Sequence, residues 1–406
     1  MHKPTGKKKV GRKAGRGPDE VRARARAKDT IRISIAPDAS VSQRARQGAS
    51  SFEEAKPDRP DVLKVEGGEK YRLGPILAEG GMGLVREAED LRCLRTVALK
   101  RLLKGEKITD EDRERFIAEA QITSRLEHPN IIPIHELGFD SNRHVYYTMK
   151  YIHGRTLTEV LMDIRRGNED VVEQYPLPRL LNIFQKVCDA AAFAHSKGIM
   201  HCDLKPDNIM VCEFGEVVVT DWGLARYVSE TPLGHGILQE LEEAAERLDG
   251  EAAAKKAADQ NVFSAPLKAD TVGAVTRTST GAIMGTPGFM APERVLDDTA
   301  IDVRSDIYSL GATLYSIVTL RAPIAGPDMN EMLRKILRGD IVPPSAYNTP
   351  DHLPENLRPS KKPVFPHCPQ GVIPEPLSKI AMKTLATDPE ERYATVQELQ
   401  EDLEAY

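Results

Sequence analysis

The 406-residue sequence predicts an α+β fold, β-rich at about 70–151 and mostly helical at about 152–406. Three observations predict it. "YRLGPILAEGGMGLVREAED" (71–90) alternates around a glycine-rich turn, and "TVALKRLL" (96–103) follows as a third strand-like run. After Gly154 the apolar spacing becomes mostly helical. "VRSDIYSLGATLYSIVTL" (303–320) is apolar nearly all round, as a buried central helix would be.

Taken in order, residues 1–65 contain "HKPTGKKKVGRKAGRG" and "VRARARAK" and few large apolar groups. Such a stretch cannot bury enough surface to offset its ordering entropy, so it is expected to be a disordered basic arm. Residues 1–60 carry 16 Lys and Arg against 7 Asp and Glu, a net of +9, which leaves −14 for the rest of a chain whose total is −5. The arm is expected to be a solvated tail or to meet an acidic or anionic partner, such as nucleic acid or an anionic membrane surface. It has no aromatic residue before Phe52, which argues against base stacking.

"TDEDRERFIAEAQITSRL" (109–126) predicts a helix with Thr109 as N-cap and acids in its first turn. Phe116, Ala120, Thr123 and Leu126 fall on one face, with Glu119 beside them. "NIIPIHELGF" (130–139) and "HVYYTMKYI" (144–152) predict two more strands. "RLLNIFQKVCDAAAFAHSKG" (179–198) predicts an apolar-periodic helix with a Lys-Gly stop. "DMNEMLRKILRG" (328–339), "PLSKIAMKTLA" (376–386) and "TVQELQEDLEAY" (395–406) predict further helices. An acidic, Ala-rich stretch at 236–260 reads as helical, and the Pro-rich stretch 341–376 as a long ordered loop.

Composition excludes several classes. Apolar residues are 40% and charged residues 29%, ordinary for a soluble domain. No run approaches the roughly 18 apolar residues of a membrane span, and no apolar core follows the N-terminal lysines as in a secretory signal. Cys93, Cys188, Cys202, Cys212 and Cys368 form no C-x-x-C pair. They read as thiols of a reducing compartment, so a cytoplasmic location is expected.

The chemistry is concentrated in a few stretches. In "AEGGMGLV" (78–85), Gly80, Gly81 and Gly83 would let backbone N–H groups approach phosphate oxygens, although Ala78 replaces the first glycine of a G-x-G-x-x-G pattern. Lys100 ends the run "VALK", and Glu119, facing the core, needs a cation that Lys100 can supply. In "HCDLKPDNIM" (201–210), Asp203 could accept a proton from a hydroxyl and Lys205 could neutralise a moving phosphoryl group. Asn208 offers a neutral oxygen and Asp221 of "TDWG" a charged one to a hard cation. "IMVCEFGEVVVT", between them, predicts a hairpin that returns both to one end of a sheet.

These stretches, with "GTPGFMAPE", "DVRSDIYSLG" and "DPEERY", resemble the eukaryotic-type serine/threonine protein kinases, closest in flavour to bacterial members, over about residues 70–406. The resemblance implies the two-lobed kinase fold and transfer of the γ-phosphoryl group of ATP, with Mg²⁺, to serine or threonine of a protein substrate, in signalling. It implies Asp203, Lys205, Lys100 and Glu119 as the catalytic set. Asn208 and Asp221 would hold the metal. Leu77, Ala78, Gly80, Gly81, Gly83, Val85, Ala98, Lys100, Met149, Tyr151, Ile152 and Met210 would surround the nucleotide, with Met149 as gatekeeper. Thr286 would bond to the base and its lysine, Glu293 would pair with Arg392, and Asp306 would hold the catalytic loop's backbone. The alternative is a pseudokinase scaffold that binds nucleotide without turnover. Its mark would be loss of Lys100, Asp203, Asn208 or Asp221, and all four are present.

The sequence departs from the family in three places. Cys202 stands where an arginine usually pairs with a phosphate on the activation segment, so that switch is expected to be weak or absent. Trp222 replaces phenylalanine in "DFG" and brings an N–H that wants a partner when buried. The activation segment, Asp221 to Glu293, is 73 residues long, with the 236–260 stretch as its surplus. That insertion is expected to be either a docking or autoinhibitory element or a neutral surface addition. Thr278 and Thr280 lie where similar bacterial kinases phosphorylate themselves.

Overall fold

The structure is a computed structural model, and it describes residues 62–65, 68–79, 83–102, 109–228, 286–296, 301–353, 358 and 364–406. Gly80, Gly81, the 236–260 stretch, Thr278, Thr280 and the arm before residue 62 lie outside the described residues.

The first half is a six-stranded antiparallel sheet in the order β1-β2-β3-β4-β6-β5. Its strands are β1 (Val62–Val65), β2 (Gly68–Glu79), β3 (Gly83–Asp90), β4 (Arg95–Leu102), β5 (Ile134–Phe139) and β6 (Val145–Lys150). Strand β1 corrects the expectation that disorder runs to residue 65. "VLKV" pairs with β2, Leu63 opposite Tyr71, and Leu63 is buried with Tyr71, Ala88, Val97 and Leu99. Apolar alternation in four residues was enough once a partner edge lay beside them.

Helix α1 (Asp110–Ser124) lies on β5 and β6. Thr109 caps it as expected: its hydroxyl accepts the Asp112 N–H, and the Asp112 carboxylate accepts the Thr109 N–H, a reciprocal capping box. Phe116 and Ala120 join Leu102, Val145 and Tyr147 in a buried cluster between helix and sheet.

The second half opens with β7 (Gly154–Thr156), α2 (Leu157–Arg165), α3 (Glu169–Gln174) and α4 (Leu177–Ser196). Thr156 and Glu159 form a second capping box, which the sequence reading missed. The short β8 (Ile199–Met200) pairs with β11 (Arg226–Tyr227), and β9 (Ile209–Cys212) with β10 (Val217–Val219) as the expected hairpin. Then follow α5 (Pro292–Leu296), α6 (Val303–Thr319), α7 (Met329–Arg338), α8 (Glu375–Thr384) and α9 (Val396–Glu404). Every residue of α6 from Ser305 to Thr319 is buried, as its all-round apolarity predicts. The Pro-rich stretch contains short 3₁₀ turns at Pro344–Asn348, Pro350–His352 and Pro369–Gly371.

The contact of α6 with α8 is close enough to require a glycine. A Cβ on Gly311 would lie 1.9 Å from Thr384 Oγ1 and 2.5 Å from Thr384 Cβ. Gly311→Ala is therefore expected to cost about 2–3 kcal/mol by overpacking. The urea midpoint should fall, and an unchanged midpoint would show that the two helices separate freely.

Candidate active site

A cleft of about 690 Å³, counted out to its open mouth, is lined from both halves of the molecule. Val85, Ala98, Lys100, Tyr147 and Met149 come from the sheet, Glu119 and Thr123 from α1, and Asn208, Met210, Asp221 and Trp222 from the β9–β10 hairpin and its flanks. Ile132, Ile134, Lys150, Ile152, Asp207 and Thr220 complete the wall. Of the residues predicted at the nucleotide or metal, Val85, Ala98, Lys100, Met149, Ile152, Met210, Asn208 and Asp221 meet in this one cleft.

Others stand just beside it. Leu77 and Ala78 are buried against Val85 and Ala98, with Tyr151 packed on the same cluster. Gly83 is glycine for a packing reason: a Cβ there would sit 2.9 Å from the Arg101 carbonyl of β4. Asp203 and Lys205 are not among the cleft's lining residues but adjoin it through Asn208.

Lys100 Nζ donates to both oxygens of Glu119, at 2.6 and 2.9 Å, in a buried setting. Burial works against the lysine's charge, but the Glu119 carboxylate, and then Asp221, outweigh it and hold its pKa above the ordinary value. Asp221 adopts φ +62°, a left-handed conformation for a non-glycine residue. A Cβ on Gly223 would lie 3.4 Å from both Asp221 Oδ1 and Glu119 Oε2, so the two carboxylates flank that glycine.

The loop between β8 and β9 is organised from below by α6. Asp306 accepts the backbone N–H groups of His201 and Cys202, each at 2.8 Å, and its Oδ2 lies 2.9 Å from His195 Nε2. Burial raises the Asp306 carboxyl, but these partners, His195 first, leave it below the ordinary value. The bonds coincide with φ +64° at Cys202. His201 completes the loop: its Nδ1 accepts the Asp203 N–H at 3.2 Å, its Nε2 faces the Thr220 carbonyl at 3.1 Å, and its ring lies 4.5 Å from that of Trp222.

Lys205 Nζ bridges Asp203 Oδ2 at 2.5 Å and Thr286 Oγ1 at 2.7 Å. Burial would lower this lysine, but Asp203 and then Asp221 hold it above its usual value. Asn208 Nδ2 donates to the Asp203 carbonyl at 2.9 Å, which assigns its other atom as an oxygen. That oxygen and the Asp221 carboxylate are two hard donors in the cleft, which Asp207 and the Lys100-bound Glu119 also line. Among the described residues no group of three or more His, Cys, Asp or Glu could hold a metal. Two protein oxygens suit magnesium, which is commonly held by one or two side chains together with substrate phosphates.

Arg392 meets Glu293 in a bidentate pair, at 2.7 and 2.8 Å, with the arginine side chain wholly buried. Cys202 is buried with Met200 and Val228, and Leu224, Ile301 and Val303 pack on that cluster, while Arg294 donates to its carbonyl. The Trp222 N–H is buried and meets no acceptor among the described residues, unlike the expectation from its polarity. Tyr147, Thr123 and Thr220 line the cleft without having been predicted at the site, Thr123 having been placed only on the inward face of the helix. For Tyr147 a signal existed: strand alternation puts it on one face with Val145 and Met149.

Comparisons with known proteins agree with this geometry. The sequence profile described as protein kinase domain matches residues 71–262 and 270–403. The chain is 35% identical over 344 residues to "Serine/threonine-protein kinase PknD" of Chlamydia trachomatis serovar L2b, covering 83% of this chain and 32% of that one. The protein of the same name from Chlamydia felis is 35% identical over 343 residues, covering 83% and 31%. The one from Chlamydia pneumoniae is 32% identical over 341 residues, with the same coverage. The chain thus spans about a third of the length of these relatives.

Proposed function

This chain belongs to the protein kinase domain family, and from that premise we propose that it is an ATP-dependent serine/threonine protein kinase acting in signalling. The observation that carries the reading is the convergence of Lys100, Glu119, Asn208 and Asp221 on one cleft, with Asp203 beside it.

Lys100, fixed by Glu119, would hold the phosphates of ATP, while Ala98, Val85, Met149, Ile152 and Met210 would enclose its adenine. Leu77, Ala78, Gly83 and Tyr151 would complete the nucleotide site, together with Gly80 and Gly81, which are assigned from the sequence alone. Asn208 and Asp221 would hold Mg²⁺, which supplies charge neutralisation on the phosphate oxygens. Asp203 orients the acceptor hydroxyl and takes its proton. Lys205, held between Asp203 and Thr286, sits where charge on the transferring group is stabilised. Catalysis is then mainly positioning and electrostatics. A scaffold without turnover is the weaker reading, because Lys100, Asp203, Asn208 and Asp221 are all retained.

The lobes of this kinase are about residues 70–151, extended at the front by β1 and the start of β2, and about 152–406, and its substrate is a protein bearing serine or threonine. The basic arm is either a solvated tail or takes an acidic or anionic partner. No helix among the described residues is long and apolar enough to cross a membrane, and the absence of C-x-x-C pairs suits a cytoplasmic setting. The test is incubation with γ-labelled ATP and Mg²⁺ followed by phosphoamino-acid analysis. Label on serine or threonine is expected; absence of label, or label on tyrosine alone, would overturn the reading.

Activation does not depend on a phosphate at Thr278 or Thr280, because Cys202 offers no guanidinium to receive one. A Thr278→Ala/Thr280→Ala double variant should keep its rate within about threefold, as expected when a phosphate gains no charge-assisted partner. A large loss in initial-rate assays would contradict this.

A further inference from the structure

We propose that Tyr147 is a positioning residue for phosphoryl transfer: its hydroxyl fixes Glu119, and through it Lys100 and helix α1, toward the cleft. The inference rests on the kinase reading and adds to it how the small lobe is held in its working arrangement.

The hydroxyl of Tyr147 donates to Glu119 Oε1 at 2.7 Å. The same oxygen accepts from Lys100 Nζ at 2.6 Å, so strand and helix meet on one atom. Tyr147 and Lys100 are directly opposite one another across the β4–β6 ladder. The rigid sheet therefore presents both the cation and the neutral donor to the carboxylate. The Tyr147 ring also packs on Phe116, with centroids 5.1 Å apart, and Phe116 lies one helical turn before Glu119. One side chain of β6 thus touches α1 twice, by its ring and by its hydroxyl. Lys100, Glu119 and Tyr147 are 9%, 4% and 3% exposed, so water does not compete for these bonds. Burial, and then the Glu119 charge, push the tyrosine hydroxyl well above its usual range, which keeps it a donor.

A lysine alone is a poor lock, because its flexible stem can follow a carboxylate that swings away. The tyrosine ring, buried and packed on Phe116, cannot follow as a flexible stem can. Loss of the hydroxyl would leave Glu119 one buried donor short and let α1 rotate outward. A clamp of this kind works from within the small lobe and needs no phosphate on the activation segment, in keeping with Cys202.

The experiment compares wild type, Tyr147→Phe, Glu119→Ala and the double variant, using myelin basic protein as acceptor. Tyr147→Phe keeps the ring and should lower kcat about tenfold, the worth of one hydrogen bond to a charged group, with little change in KM for the acceptor. In the Glu119→Ala background the same change should have less than about a twofold effect, since residues that act through one another are not additive. Amide hydrogen exchange over 112–124 should be faster in Tyr147→Phe than in wild type. Equal fractional losses in both backgrounds, with unchanged exchange, would overturn the proposal. A wild type that transfers no phosphate would instead defeat the kinase reading, and the exchange comparison would still decide the role of Tyr147.

Discussion

Asp203→Asn should lower the rate of phosphoryl transfer by about 10²–10⁴-fold, the usual worth of a positioned proton acceptor. The asparagine has the same shape but cannot take a proton from the acceptor hydroxyl. It also removes the carboxylate oxygen that holds Lys205 at 2.5 Å, so the lysine loses its charged partner and keeps Thr286. Asp203 does not line the cleft itself. Nucleotide affinity should therefore stay within about twofold of wild type, since the missing interaction belongs to the transition state. Initial rates with labelled ATP and a fluorescence titration with nucleotide separate the two effects. Near-normal transfer would remove Asp203 from the chemistry, and a large loss of nucleotide binding would place it in the binding site instead.

Glu293→Gln should have the largest effect on stability. The Arg392 side chain is 0% exposed and that of Glu293 15%, and the guanidinium also donates to the carbonyls of Ala386, Arg304 and Thr387. Removing the carboxylate leaves a buried cation without its counter-charge, at a cost of about 3–5 kcal/mol. Chemical unfolding should show a clear loss, and an unchanged midpoint would mean that the carbonyls alone satisfy Arg392. The pair also sets a pH dependence. Burial raises Glu293, but its hydrogen bonds and attraction to Arg392 outweigh that and depress its pKa below the ordinary 4.5. A depressed carboxylate stabilises the fold fully above its unfolded value and loses that contribution as pH falls through the folded value. The gap between wild type and Glu293→Gln should thus be full at neutral pH and close as the pH drops below about 4.5. A gap that widened in acid would reverse the assignment.

Much of this molecule was legible from local pattern. Thr109 followed by acids marked the start of α1, and the all-round apolarity of 303–320 marked the buried α6. The inward carboxylate of Glu119 called for Lys100, and the run between Asn208 and Asp221 read correctly as a hairpin. What escaped depended on partners distant in sequence. Strand β1 is four residues at the end of a basic arm, and only its pairing with β2 makes it a strand. The left-handed backbone at Cys202 has no signature in a residue type that rarely adopts it, and at Asp221 the modest preference of aspartate for that region is too weak to mark the position. Tyr147 lay on a predicted strand face, but its bond to Glu119 spans 28 positions and depends on how α1 seats on the sheet. The glycine at 83 was read for phosphate access, whereas the Arg101 carbonyl already excludes a side chain there.

The most direct measurement is a crystal structure of the protein with Mg²⁺ and a non-hydrolysable ATP analogue. The account predicts one nucleotide in the cleft, its phosphates at Lys100, and a metal ion bound by both Asn208 and Asp221. A nucleotide bound elsewhere, or a metal that touches neither of those side chains, would contradict it.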